Sequence, residues 1–166
     1  MLEQIQKFRE YLDYIEHHYN NVQKAWALIN EKCKDNNFRF MENKSLWLMI
    51  DDDVKKHDLS KLSAAEFTQY RQYFFSIEGE VKDKDTFKRA WEHHKTNNIH
   101  HWENWTKKEY DALQGEAYLV MMLVDWIAMG FEFGNTARSH YEKNQDKIPL
   151  PKWSIPLMYD IFDCVY

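Results

Sequence analysis

Apolar or aromatic residues recur at positions 5, 8, 12, 15, 19, 22, 26, 29 and 33, in steps of three and four. That spacing predicts one long amphipathic helix over residues 2–34. His18 falls three residues after Ile15 and four before Val22, beside the apolar stripe and able to point inward. His17 lies further round, toward Glu16 and Lys24. A second helix is expected to begin near Ser45, because Leu46, Ile50, Val54 and His57 share one face. His57 and Asp58 therefore close a core-facing helix. Ser63 and Glu66 form an S-x-x-E capping box, which predicts a third helix carrying Phe67, Tyr70 and Phe74 and gives Glu66 an ordinary capping role.

The stretch "FKRAWEHHKTNNIHHW", residues 87–102, repeats the helical spacing through Phe87, Ala90, Trp91, His94, Asn98 and His101. Thr106 and Glu109 make a second capping box ahead of the most apolar segment, in which Tyr110, Leu113, Ala117, Met121, Val124 and Ala128 share a face. Asp125 sits inside that segment. A short helix is expected over residues 136–144, then an extended "KIPLPKW" connection and a closing helix after Ser154, with Pro156 tolerated only in its first turn.

Composition agrees with this all-helical reading. The chain has 166 residues, 44% of them apolar and 16% aromatic, with only 4 Gly and 3 Pro. Few breakers and ample core material predict an all-α fold, one single-domain helical bundle of about six to seven helices spanning residues 1–166. The formal charge is −5 with acids and bases interspersed, so no basic stripe exists to neutralise a phosphate backbone and no nucleic-acid polymer is expected as a partner. Charges in "MLEQIQKFRE" occupy the place of a signal peptide's apolar region. The run "AYLVMMLVDWIAMGF" is shorter than the roughly 20 residues a bilayer requires and reads as a core helix, so no membrane association is expected. Cys33 and Cys164 lack metal-type spacing and read as free thiols of a reducing compartment, hence a cytoplasmic location.

One HD dipeptide means little here, since chance alone provides about 0.6 in a chain with this many His and Asp. Adjacent histidines are more informative: about 0.3 pairs are expected, and pairs stand at 17–18, 93–94 and 100–101. Inward-facing His18, the His57-Asp58 pair, His94 with His101, and Asp125 lie on four separate predicted helices, the way helix bundles build metal sites. An ionised carboxylate within an apolar helix needs compensation, and a cation beside Asp125 would supply it. Imidazole and carboxylate donors suit a divalent transition metal (Mn, Fe, Co, Ni or Zn), with Mg also allowed.

Residues seven apart on a straight helix are separated by about 10.5 Å along its axis. His94 and His101 can therefore serve one cluster only if the helix breaks, and Asn97-Asn98 favours a break by competing for backbone hydrogen bonds. One or two ions are expected, with His94 and either His100 or His101 at the second. Lys61 could meet a phosphate as a point charge or be a solvated cation, and Asn98 could bind substrate or fix a ligand's tautomer.

The order His18, His57-Asp58, Asp125 resembles the HD-domain superfamily of metal-dependent phosphohydrolases, whose pattern is H…HD…D on an all-α scaffold. More narrowly, "HDLSKLSAAEF", "AWEHHKTNNIHHWENW" and "VDWIAMGFEFGNTA" resemble an uncharacterised branch found in bacteria and phages, over roughly residues 15–145. The resemblance implies His18, His57, Asp58 and Asp125 as ligands of a first metal. It also implies His94 with His100 or His101 at a second, and hydrolysis of a small phosphorylated metabolite, a nucleotide first among candidates, by a metal-activated water. Asp58 would orient that water, and Lys61, Asn98 and His100 would face the substrate. One position departs: nucleotidase-type members carry Glu where this chain has Lys61, as some phosphodiesterase-type members do, which argues against the nucleotidase acid–base route. Two rivals share the ligands, namely a metal-stabilised helical module acting through a protein partner and an HD-type di-iron oxygenase.

Overall fold

The computed structural model describes Met1–Tyr166 and contains helices but no strands. Helix α1 (Leu2–Cys33) is followed by a one-turn α2 (Arg39–Glu42), α3 (Lys44–Lys55) and a 3-10 turn over Leu59–Leu62. Next come α4 (Phe67–Phe74), α5 (Lys84–Asn97), one-turn α6 (Trp102–Trp105), α7 (Ala112–Phe133), α8 (Ala137–Asn144) and α9 (Ser154–Val165). Nine helices exceed the expected six to seven only through α2 and α6, which are too short to carry a periodic signature.

α7 is the central element. Every residue from Leu119 to Val124 is buried, and α1, α3 and α9 pack around it. A helix apolar on all sides must be covered on all sides. α7 is long and apolar enough to cross a membrane, yet 61% of its most apolar window is buried inside the bundle, as the core-helix reading expects. The main core joins Val22, Trp26 and Ile29 of α1 to Leu46, Ile50 and Val54 of α3 and to Met158, Ile161 and Phe162 of α9. A smaller aromatic cluster, built on Tyr11, Tyr70 and Ala90, binds α4 and α5 to the N-terminal half of α1. The histidine-rich centre lies between the two.

Both expected capping boxes are replaced. α7 starts at Ala112, where Asp111 accepts from the Leu113 and Gln114 backbone and Gln114 reaches back to the Asp111 N–H. Asp111 is the stronger cap, and the residues before it instead turn around the fully buried Trp105. Thr106 closes α6, its hydroxyl donating to the Trp102 carbonyl at 2.6 Å. α4 begins after Glu66 with no side-chain cap, because the Glu66 carboxylate is drawn inside. The break at Asn97-Asn98 is present: α5 ends at Asn97 and Asn98 is extended.

Candidate metal centre

α3 ends at Lys55, two residues before His57, and Asp58 adopts φ 59°, the only non-glycine left-handed residue of the chain. A short polar side chain tolerates that conformation better than most. The reversal turns the His57 and Asp58 side chains into the bundle, 4% and 6% exposed, against His18 of α1. His18 Nε2 lies 3.2 Å from His57 Nε2, 3.4 Å from Asp58 Oδ2 and 3.3 Å from Asp125 Oδ1. His57 Nε2 is 3.7 Å from Asp58 Oδ2 and 3.5 Å from Asp125 Oδ1. The four residues expected at a first metal thus converge from two helices, α1 and α7, and the turn after α3.

The other oxygen of Asp58 faces a second group. Oδ1 is 3.2 Å from His94 Nε2 and 3.4 Å from His100 Nε2, and it has no hydrogen-bond partner. Asp58, His94, His100 and His101 each offer one ligand atom within 4.8 Å of the others. The broken helix answers the spacing problem: after Asn98 the chain doubles back and returns both His100 and His101 to His94. His100 is buried and aims at Asp58, which fits the ligand role, one of the two roles expected of it. His101 borders the neighbouring cavity, its ring edge-on to Trp91.

These spacings fit a bound cation. Donors 2.0–2.2 Å from a tetrahedral or octahedral ion lie about 2.8–3.6 Å apart. Two imidazole nitrogens and two carboxylate oxygens packed at such separations without a cation would place several acceptors face to face. In the metal-free protein a proton plays that part. Burial opposes protonation of His18, but Asp125 and Asp58 outweigh it and raise its pKa to about 9. Burial likewise works against ionised Asp58, and Lys61 and the surrounding histidines overcome it, holding the carboxyl well below its usual range. Asp125 is held low against burial by His18 and His57. Burial, aided by His100, pushes His101 down to about 3, leaving a neutral imidazole fit to donate a lone pair.

Lys61 is no solvated cation. It is 6% exposed, donates to Asp58 Oδ2 at 2.6 Å and lies over the Tyr14 ring. Burial lowers its pKa, but Asp58 more than compensates, so it stays protonated. Asn98 holds structure beside a ligand: Nδ2 donates to Ser60 Oγ at 2.7 Å and to the His94 carbonyl at 2.8 Å.

Glu66 is the functional residue that sequence spacing misassigned. Its fully buried carboxylate accepts from His93 Nδ1 at 2.7 Å, His94 Nδ1 at 2.9 Å and Ser60 Oγ at 3.0 Å. A carboxylate on Nδ1–H fixes the tautomer that leaves Nε2 of His94 free toward Asp58. No periodicity signals a partner 28 residues away. Glu66→Gln is expected to weaken binding of the second ion roughly 10- to 100-fold while sparing the first. Metal stoichiometry across a titration distinguishes the sites, and equal loss at both would contradict the assignment.

Residues 7–160 match the family of unknown function DUF5662. The chain belongs to that family. No curated protein and no solved structure matched it. In this DUF5662 member the centre opens onto a cavity of about 220 Å³ that Tyr14, Lys61, Phe87, Trp91 and Met129 help to line. Trp91, His101, Asp125 and Met129 also border an adjoining cavity of about 320 Å³, where Trp102 and Trp126 add further aromatic surface.

Proposed function

We propose that this DUF5662 member is an HD-type metal-dependent phosphohydrolase acting on a small phosphorylated metabolite, with a nucleotide as the first substrate to test. One observation carries the reading: Asp58 faces two groups of ligand-type side chains through its two different oxygens, and the buried ammonium of Lys61 lies beside it. Divalent ions held there would supply Lewis acidity toward phosphoryl oxygens and a water acidic enough to attack at neutral pH. His18, His57 and Asp125 would hold one ion, His94 and His100 the other with His101 at hand, and Asp58 would serve both.

Lys61 has a role that does not overlap with ligation. Lys61 lines the cavity, and once cations share the charge of Asp58, its ammonium would be available to a phosphoryl oxygen. The tryptophan-lined cavity next to the centre offers flat apolar surface to the organic part of the substrate, and stacking on a base is the contact such rings make best.

Metal-loaded protein should release phosphate or a nucleotide product from some member of a panel of nucleoside mono-, di- and cyclic phosphates. Lys61→Ala should keep its metal and lose roughly 10²- to 10³-fold in turnover, the usual cost of removing one charged donor to a developing anion. Unchanged kinetics would remove Lys61 from the reaction. Absence of any product, with a lower melting temperature after chelation, would assign the metal to stability alone. An imidazole-rich centre with a shared carboxylate also suits paired iron, so oxygen consumption by an iron-loaded sample tests the oxygenase reading.

A further inference from the structure

The rings of His57 and His100 stack with centroids 4.0 Å apart and planes 21° apart, and both direct Nε2 toward the aspartates of the centre. An imidazole that gives its Nε2 lone pair to a cation keeps its proton on Nδ1, and that N–H requires an acceptor. The Nδ1 of His94 has Glu66. The Nδ1 of His100 has no partner although it is buried.

Asp53 lies behind this pair of rings, one helical turn before His57 on α3. Its Oδ2 is buried, has no hydrogen-bond partner and stands 3.9 Å from His100 Nδ1. One carboxylate oxygen of Asp53 and one ring nitrogen each of His57 and His100 lie within 4.8 Å of one another. Two unpartnered buried atoms of complementary type, less than an ångström beyond bonding range, cost free energy as they stand and recover it on a small closure.

We propose that Asp53 is a positioning residue of the metal centre, accepting the Nδ1–H of His100 and of His57 so that both rings present Nε2 to the ions. The proposal rests on the reading of the cluster as a metal centre. Asp53 would do for His57 and His100 what Glu66 does for His93 and His94, one carboxylate steadying two imidazoles from behind. Because His57 and His100 belong to different ligand groups, Asp53 would stiffen both metal positions at once.

Zinc is the probe, since it is diamagnetic and accepts imidazole and carboxylate donors. In zinc-loaded wild type, long-range ¹H–¹⁵N spectra should show His57 and His100 protonated at Nδ1 and coordinated through Nε2. Competition with a chromophoric chelator should show Asp53→Asn binding zinc about 10- to 100-fold more weakly at both positions. Asp52→Asn, a change at the neighbouring exposed carboxylate that pairs with Lys56, should bind as wild type does. Coordination of either histidine through Nδ1, or zinc affinity of Asp53→Asn within twofold of wild type, would overturn the role of Asp53 and leave the metal centre intact. Wild type that takes up no zinc would overturn both. The spectra need only the wild-type protein, so they decide the matter even if Asp53→Asn does not fold.

Discussion

Replacing Asp58 with asparagine is expected to take the proposed two-ion centre to fewer than one ion per chain. Asp58 is the only side chain shared by the two ligand groups, reaching His18 and His57 through Oδ2 and His94 and His100 through Oδ1. Asparagine has nearly the same shape and tolerates the left-handed backbone at φ 59°. The substitution therefore removes charge and one oxygen while preserving the turn. It also leaves the buried Lys61 ammonium without its counter-ion, a loss of about 3–5 kcal/mol by analogy with other broken buried pairs. Metal analysis and thermal unfolding of metal-free protein would show the two effects separately. The double variant Asp58→Asn with Lys61→Met should recover much of the stability and none of the metal. An Asp58→Asn protein that still carries two ions would refute the bridging role.

The second large effect is a pH dependence of the metal-free protein that metal loading removes. In the metal-free protein His18 is raised to about 9 by Asp125 and Asp58 in spite of burial, from an ordinary value of 6.5. A group whose folded pKa lies above its unfolded pKa contributes stability that is complete below the unfolded value and lost as pH rises through the folded one. Metal-free protein should therefore lose roughly 3 kcal/mol between pH 6.5 and 9 from this group. Burial opposes protonation of His94 as well, yet Asp58 and Glu66 raise it, so its contribution has the same sign.

A metal must displace these protons. Apparent metal affinity should climb about tenfold per pH unit for each proton released over the same interval, which offsets the loss, so the stability of metal-loaded protein should stay nearly constant where metal-free protein loses it. Melting temperatures with and without chelator at several pH values test both slopes. A pH-independent metal affinity would mean that His18 is not a ligand.

Helix existence was legible along most of the chain, because burial of one face imposes a period that any long amphipathic helix must show. α1, α3, α7 and α9 stand within a few residues of their expected positions. The points that moved are those where one polar residue had two jobs available. Ser63 and Glu66 have the spacing of a cap, but the interior offered Glu66 three donors at once, and a buried carboxylate with three hydrogen bonds outcompetes a single exposed capping bond. Thr106 and Glu109 lost to Asp111 and Gln114, which form the same motif with a better cap.

By itself the sequence determined the all-α fold, the inward placement of His18, His57, Asp58, His94 and Asp125, and the break at Asn97-Asn98. Each follows from local spacing or local backbone competition. Only the tertiary structure decided that Asp58 turns one oxygen to each ligand group, that His100 as well as His101 comes back to His94, and that Lys61 is buried against Asp58. It also decided that Glu66 and Asp53 stand behind the imidazoles. These contacts join residues up to about a hundred positions apart, such as His18 and Asp125. Which carboxylate meets which ring nitrogen is set by how helices cross and by the left-handed turn at Asp58, and neither leaves a period in the sequence.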